Sequence, residues 1–188
     1  NFLRETTSQK GGYRNGSRPF CLLAQEPLGH VSHMSFQQPL TFEPQYMDRV
    51  WGGRKMQTRL GRALPAVRPI GESWELVDRE DAQSVVEGGP LAGKTLHELW
   101  TTLREPVFGC VADSPRFPLL AKILDARETL SVQVHPDDEA AAKHGGEPKT
   151  EMWFVLEAEV GARVYAGLHK DVTPERFQEA VKGTGFQD

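Results

Sequence analysis

Leu130-Ser-Val-Gln-Val-His-Pro136 is followed, fifteen residues on, by Glu151-Met-Trp-Phe-Val-Leu156. In the first run Leu130, Val132 and Val134 alternate with Ser131, Gln133 and His135, and a period of two sends the two sets to opposite faces of a strand. Gln133 and His135 then share one face, and Glu151 opens the next strand pattern. Amide-oxygen, imidazole and carboxylate donors together suit a borderline divalent cation such as zinc. Gln133, His135 and Glu151 are therefore candidate metal ligands. Singly, each also fits an ordinary strand residue or a solvent-facing cap; the signal lies in the combination.

Outward from this pair, Asp137-Asp-Glu139 and Ala140-Ala-Ala-Lys-His144 before Gly145-Gly146 predict a short helix bridging the two ligand strands, with charges that suit its dipole. Upstream, Phe117-Pro-Leu-Leu-Ala-Lys-Ile-Leu124 reads as a buried strand carrying Lys122, and forms an expected antiparallel hairpin with the ligand strand. Thr95 precedes Leu96, Leu99, Trp100 and Leu103 at helical spacing, which predicts one amphipathic helix over 95–105. Glu72-Ser-Trp-Glu-Leu-Val77 and Gln83-Ser-Val-Val-Glu87 read as short strands, and Trp51-Gly-Gly53 as a turn. Gly161-Ala-Arg-Val-Tyr-Ala-Gly167 predicts another strand, and Thr173-Pro174 caps a last helix. The four tryptophans fall in patterns that burial explains. Short strands, Gly and Pro turns and a few peripheral helices predict a mainly β fold, a sandwich or jelly-roll barrel decorated with helices.

The 188 residues, 38% apolar and 26% charged, fit one soluble domain. A net charge of -4 argues against general nucleic-acid binding. No apolar run approaches membrane-spanning length and no secretory signal is visible, so a cytoplasmic protein and a monomer are the default expectations. Cys21 and Cys110 read as ordinary reduced thiols. Residues 1–33 lack any sustained period and read as a disordered or non-native leader, with the folded region expected over 34–188; His30 and His33 fall in the leader. Gly52-Gly53 lacks the context of a phosphate loop.

Five motifs, Trp51-Gly-Gly53, Ile70-Gly-Glu-Ser-Trp-Glu75, Phe117-Pro-Leu-Leu-Ala-Lys122, Leu130-Ser-Val-Gln-Val-His-Pro136 and Lys149-Thr-Glu-Met-Trp153, occur in an order that resembles type I mannose-6-phosphate isomerases. The resemblance runs from about Pro39 to the last helix. It implies a cupin-type jelly-roll barrel, one zinc ion, and interconversion of the sugar phosphates mannose 6-phosphate and fructose 6-phosphate. It places the family's Gln-x-His ligands on Gln133 and His135 and its glutamate ligand on Glu151. Its fourth ligand, a histidine on a later strand, has no match, and His169 is not a substitute. The resemblance therefore implies an N-terminal fragment with the C-terminal part of the barrel beyond Asp188.

Moving a proton between C1 and C2 of a sugar needs charge stabilisation on the oxygens and a proton-transfer group. Lys149, two residues before Glu151, is the candidate catalytic group; a solvated loop lysine is the plain alternative. Lys122, inside an apolar strand, needs a partner: the substrate phosphate, or Glu72, Glu75 or Asp125. Ser131 shares the ligand face and is a candidate substrate contact, or a plain strand hydroxyl. The rival readings are a non-catalytic sugar- or metal-binding cupin, an inactive truncated product, and another cupin metalloenzyme.

Overall fold

Ile70–Leu76 is polar at its centre and yet buried from Ile70 to Ser73, a combination that requires a strand partner on each side and a bond for every polar side chain. The computed structural model, described over residues 3–5 and 39–183, supplies both. In chain order the elements are β1 (Leu3–Glu5), β2 (Gln45–Gly53), α1 (Lys55–Leu60), β3 (Ile70–Leu76), β4 (Asp78–Arg79), β5 (Ala82–Gln83), α2 (Leu96–Thr102), α3 (Arg104–Phe108), β6 (Ala121–Leu124), α4 (Asp138–His144), β7 (Tyr165–Leu168) and α5 (Pro174–Lys182). They fall into two units, one holding residues 39–134 and the other residues 3–5 and 135–183. The expected leader, apart from Leu3–Glu5, lies outside the described residues, together with Cys21, His30 and His33.

In the first unit β3 is the middle strand of an antiparallel sheet, β2-β3-β6, with Met47 opposite Glu72, and Glu72 and Trp74 opposite Leu124 and Lys122. Trp51-Gly-Gly53 is not a turn but the irregular end of β2, where Gly53 pairs with Ile70 and Gly52 bridges to Ala126. Glycine is needed there for proximity: a Cβ on Gly52 would overlap the backbone of Ile70 and Gly71. A Cβ on Gly53 would meet the Asp125 carboxylate at 2.8 Å. That carboxylate is itself buried and accepts from the Lys55 N–H at 2.5 Å, holding the start of α1.

Beside this sheet, Val86, Leu91 and Leu99 form a small core covered by Leu40, Phe42, Leu103, Val107 and Phe108. Thr95 and Glu98 form the capping box of α2, and Leu96, Leu99 and Trp100 are its buried stripe. The single helix expected over 95–105 is two. Pro106 has no N–H for the Thr102 carbonyl, and the chain breaks at Leu103 (φ -130°) before starting α3. Trp100 packs edge-on against Phe108 and Phe117, with centroids at 5.1 and 5.4 Å, and donates its indole N–H to Ser114 O. Buried Asp78 ties three segments together, accepting from the Phe117 N–H at 2.8 Å and Gln83 Nε2 at 2.8 Å and lying 3.1 Å from His97 Nδ1. Burial pushes the Asp78 carboxyl up, but these contacts outweigh it and hold it below the ordinary range.

In the second unit β1 pairs antiparallel with β7. α4 and α5 start as expected, capped by Asp137 and by Thr173 with Pro174, and Gly145 ends α4 in the left-handed region (φ 68°).

Several expectations fail. Residues 130–135 form no strand and no hairpin with β6, which pairs with β3 instead; the strand expected over 117–124 is assigned only from Ala121. Residues 151–156 are also irregular, leaving Met152, Phe154 and Leu156 exposed. Alternation makes a strand only where a neighbouring strand completes its hydrogen bonds, and none lines up with these runs among the described residues. Trp153 is 54% exposed, against the burial expected of it. The described sheets are small and antiparallel and do not close into a barrel.

Two outcomes are expected from this packing. Gly52→Ala should lower unfolding stability by about 1–3 kcal/mol through overpacking, read by denaturant titration; an unchanged midpoint would refute the close approach. Asp78→Asn should cost about 1–3 kcal/mol at neutral pH. Because folding lowers this carboxyl's pKa, its stabilisation is present above the unfolded value and lost as pH falls through the folded one. The variant's acid limb should therefore be flatter than that of the parent protein.

Candidate functional site

α4 and its caps bring the chain back on itself. After the turn at Gly145 the Lys149 N–H donates to the Pro136 carbonyl at 3.1 Å, fastening the two ends of the excursion over 136–149. His135 and Glu151, just outside this clasp, thereby become neighbours, with Nε2 of His135 2.9 Å from Oε2 of Glu151. An ionised carboxylate only accepts, so Nε2 carries the hydrogen in this contact, and that hydrogen must leave before a metal can bind there. Lys149 Nζ lies 2.8 Å from the other oxygen, Oε1, and Trp153 donates its indole N–H to Oε2 at 3.3 Å.

Partial burial pushes the Glu151 carboxyl up, but hydrogen bonds from Lys149, His135 and Trp153 outweigh it and hold it down at about 2. Glu151 is therefore an anion throughout the neutral range. About a quarter of each side chain, His135 24% and Glu151 25%, faces solvent, so the pair is reachable by a solute. Two donors on one tetrahedral zinc, at about 2.0–2.2 Å each, lie roughly 3.3 Å apart. At 2.9 Å the imidazole and carboxylate stand closer together than that, and their donor types suit a borderline cation once they part.

Of the other expected site residues, Gln133 and Ser131 are exposed and belong to the unit of residues 39–134. Among the described residues no group of three or more His, Cys, Asp and Glu converges as a metal site. His169 pairs with Asp171 at 3.2 Å. Lys122 takes one of the protein partners considered for it, with Nζ 3.5 Å from Oε1 of Glu72.

That carboxylate also accepts from Arg49 at 3.0 Å and from the Trp74 indole at 2.9 Å. Burial pushes Glu72 up, while Trp74, Lys122 and Arg49 outweigh it and hold it low. Two cations thus share one buried carboxylate, leaving a surplus positive charge beside Lys122. Sequence reasoning missed Arg49, which lies in a strand read partly as a turn, and the contact of Trp153. The second was signalled by spacing, since residues two apart can project to the same side.

The family model for the type I phosphomannose isomerase catalytic domain matches residues 40–152. A probable mannose-6-phosphate isomerase of Bacillus subtilis is 41% identical over 146 residues, covering 77% of this chain and 45% of that protein. A mannose-6-phosphate isomerase of Streptococcus mutans is 39% identical over 145 residues, with the same two coverages. The crystal structure of the mannose 6-phosphate isomerase from Bacillus subtilis superposes with a TM-score of 0.53 at 41% identity, over 58% of this chain and 34% of that one. The chain thus spans about half the length of the curated relatives it matches. The family match takes in more than half of the chain, from Leu40 ahead of β2 to Met152 just past Glu151, and the chain belongs to the type I phosphomannose isomerase family.

Proposed function

We propose that this chain carries the zinc-binding part of an aldose-ketose isomerase that interconverts mannose 6-phosphate and fructose 6-phosphate through an enediol. The observation that supports it most is the cluster of His135, Lys149 and Glu151, which sets an imidazole, an ammonium and a carboxylate ionised at neutral pH side by side. In this reading residues 34–188 belong to a cupin-type jelly-roll catalytic region, and Gln133, His135 and Glu151 hold the metal. A zinc ion bound there supplies Lewis-acid stabilisation of negative charge on the sugar oxygens.

The protein's own groups do the rest. Glu151 enters as an anion and has no proton to lose. Lys149, whose Nζ lies 2.8 Å from Oε1 of Glu151, is assigned the proton transfer: as the free amine it takes the proton from one of the two carbons, and the ammonium so formed stabilises charge on the enediol oxygens and returns the proton to the other carbon. Lys122, with the surplus positive charge it shares with Arg49, suits the dianionic phosphate. Ser131 is assigned a hydrogen bond to the substrate.

Three measurements test this reading. The zinc-loaded full-length protein should convert mannose 6-phosphate in a coupled assay and lose that activity on chelation; zinc bound without conversion in the full-length protein would refute the assigned reaction. His135→Ala should strip the metal, by elemental analysis, and leave the far-ultraviolet dichroism unchanged, whereas undiminished zinc content would remove His135 from the ligand set. Lys149→Ala should keep its zinc and lose about 10²–10⁴-fold in kcat; a kcat within a few-fold of the parent value would reduce Lys149 to a surface lysine.

A further inference from the structure

Trp153 has the wrong exposure for a core tryptophan. It is 54% exposed and flanked by Met152 and Phe154, which are more exposed still. Its one polar atom is nevertheless engaged: the indole N–H points at Oε2 of Glu151, 3.3 Å away, on the oxygen that also faces His135. Lys149 occupies the opposite oxygen, Oε1, at 2.8 Å. The carboxylate is therefore held from both ends, by a cation on one oxygen and by a neutral donor on the other.

The two donors differ in what they can do. An ammonium is mobile, charged and exchangeable, and the proposed function gives Lys149 a second task. An indole N–H donates only, does not titrate and cannot ligate a metal. It is also carried on a rigid ring with two side-chain torsions, so it fixes the oxygen it touches in direction as well as in place. A carboxylate oxygen has two lone-pair directions; a donor in one of them leaves the other for a cation.

We propose that Trp153 is a positioning residue, whose indole N–H fixes the rotamer of Glu151 and presents the remaining lone pair of Oε2 toward the position between Glu151 and His135 where a divalent cation binds. This rests on the reading of Glu151 as a metal ligand. Outer partners of metal ligands typically contribute about 10–100-fold in metal affinity. Trp153→Phe keeps the ring and its packing and removes only the donor.

The test is a titration of metal-free protein with Co²⁺ and with Zn²⁺, comparing the parent protein, Trp153→Phe and Glu151→Ala, with no activity readout. Trp153→Phe should bind both ions about 10–100-fold more weakly and show a shifted visible Co²⁺ absorption, because the carboxylate is freed to reorient, while Glu151→Ala should lose binding altogether. Weakened binding in Glu151→Ala with parent-like affinity and spectrum in Trp153→Phe overturns the positioning role alone; parent-like binding in Glu151→Ala overturns the ligand reading beneath it. Should Trp153→Phe fail to fold, ¹⁵N-indole spectra of the parent protein decide. The Trp153 indole resonance should move on Zn²⁺ addition, and its constancy overturns the proposal.

Discussion

A carboxylate taken out of water must be given partners, and Glu72 in the centre of β3 shows how much of the first unit follows from that. Its oxygens are reached by Arg49 from β2, by Lys122 from β6 and by Trp74 from its own strand. One acid thereby links all three strands on one face of the sheet. The hydrogen-bonded ladders fix the spacing of the strands, but the ion cluster penalises a slip of register, since moving either neighbour by one residue would turn its cation to the opposite face. Removing one partner from such a group costs far more than the pair contributes over an apolar replacement. The cluster is thus better understood as specifying the arrangement than as a source of stability.

Asp78 and Asp125 repeat the device at two other joints. Asp78 accepts from a loop amide, a strand glutamine and a helix histidine, and Asp125 from the first N–H of α1. In both, an acid also reaches segments outside its own ladder, the loop at Phe117 and the helix residue His97 for Asp78 and the start of α1 for Asp125. The apolar cluster around Val86, Leu91 and Leu99 is small, and buried carboxylates with backbone partners provide the directional contacts that a small core does not.

The sequence was most legible where the signal was local. Thr95 before α2, the acidic start of α4 before Gly145 and the Thr173–Pro174 cap of α5 all stand where the sequence put them, because a helix start is decided within four residues. The break at Leu103 was equally local, through Pro106, and was overlooked because the apolar spacing ran across it. The runs at 130–135 and 151–156 failed for the opposite reason: an alternating pattern promises one good face, and whether it becomes a strand depends on a neighbour elsewhere in the chain. The proximity of His135, Lys149 and Glu151 needed no such neighbour. It follows from α4 and its caps, and so it was foreseeable from residue types and spacing even though the strands proposed to carry it are not present among the described residues. The partners of Lys122 and Trp153 could be narrowed by spacing but not chosen without coordinates.

The clasp between the Lys149 amide and the Pro136 carbonyl carries an implication for how such proteins diversify. With both ends of the excursion fastened next to each other, the distance between His135 and Glu151 is independent of the number of residues that pass between them. Lengthening a closed loop costs only about 0.6 kcal/mol per doubling. The stretch over 136–149 can therefore take up extra residues beside α4 and its caps while the two side chains it joins stay where they are.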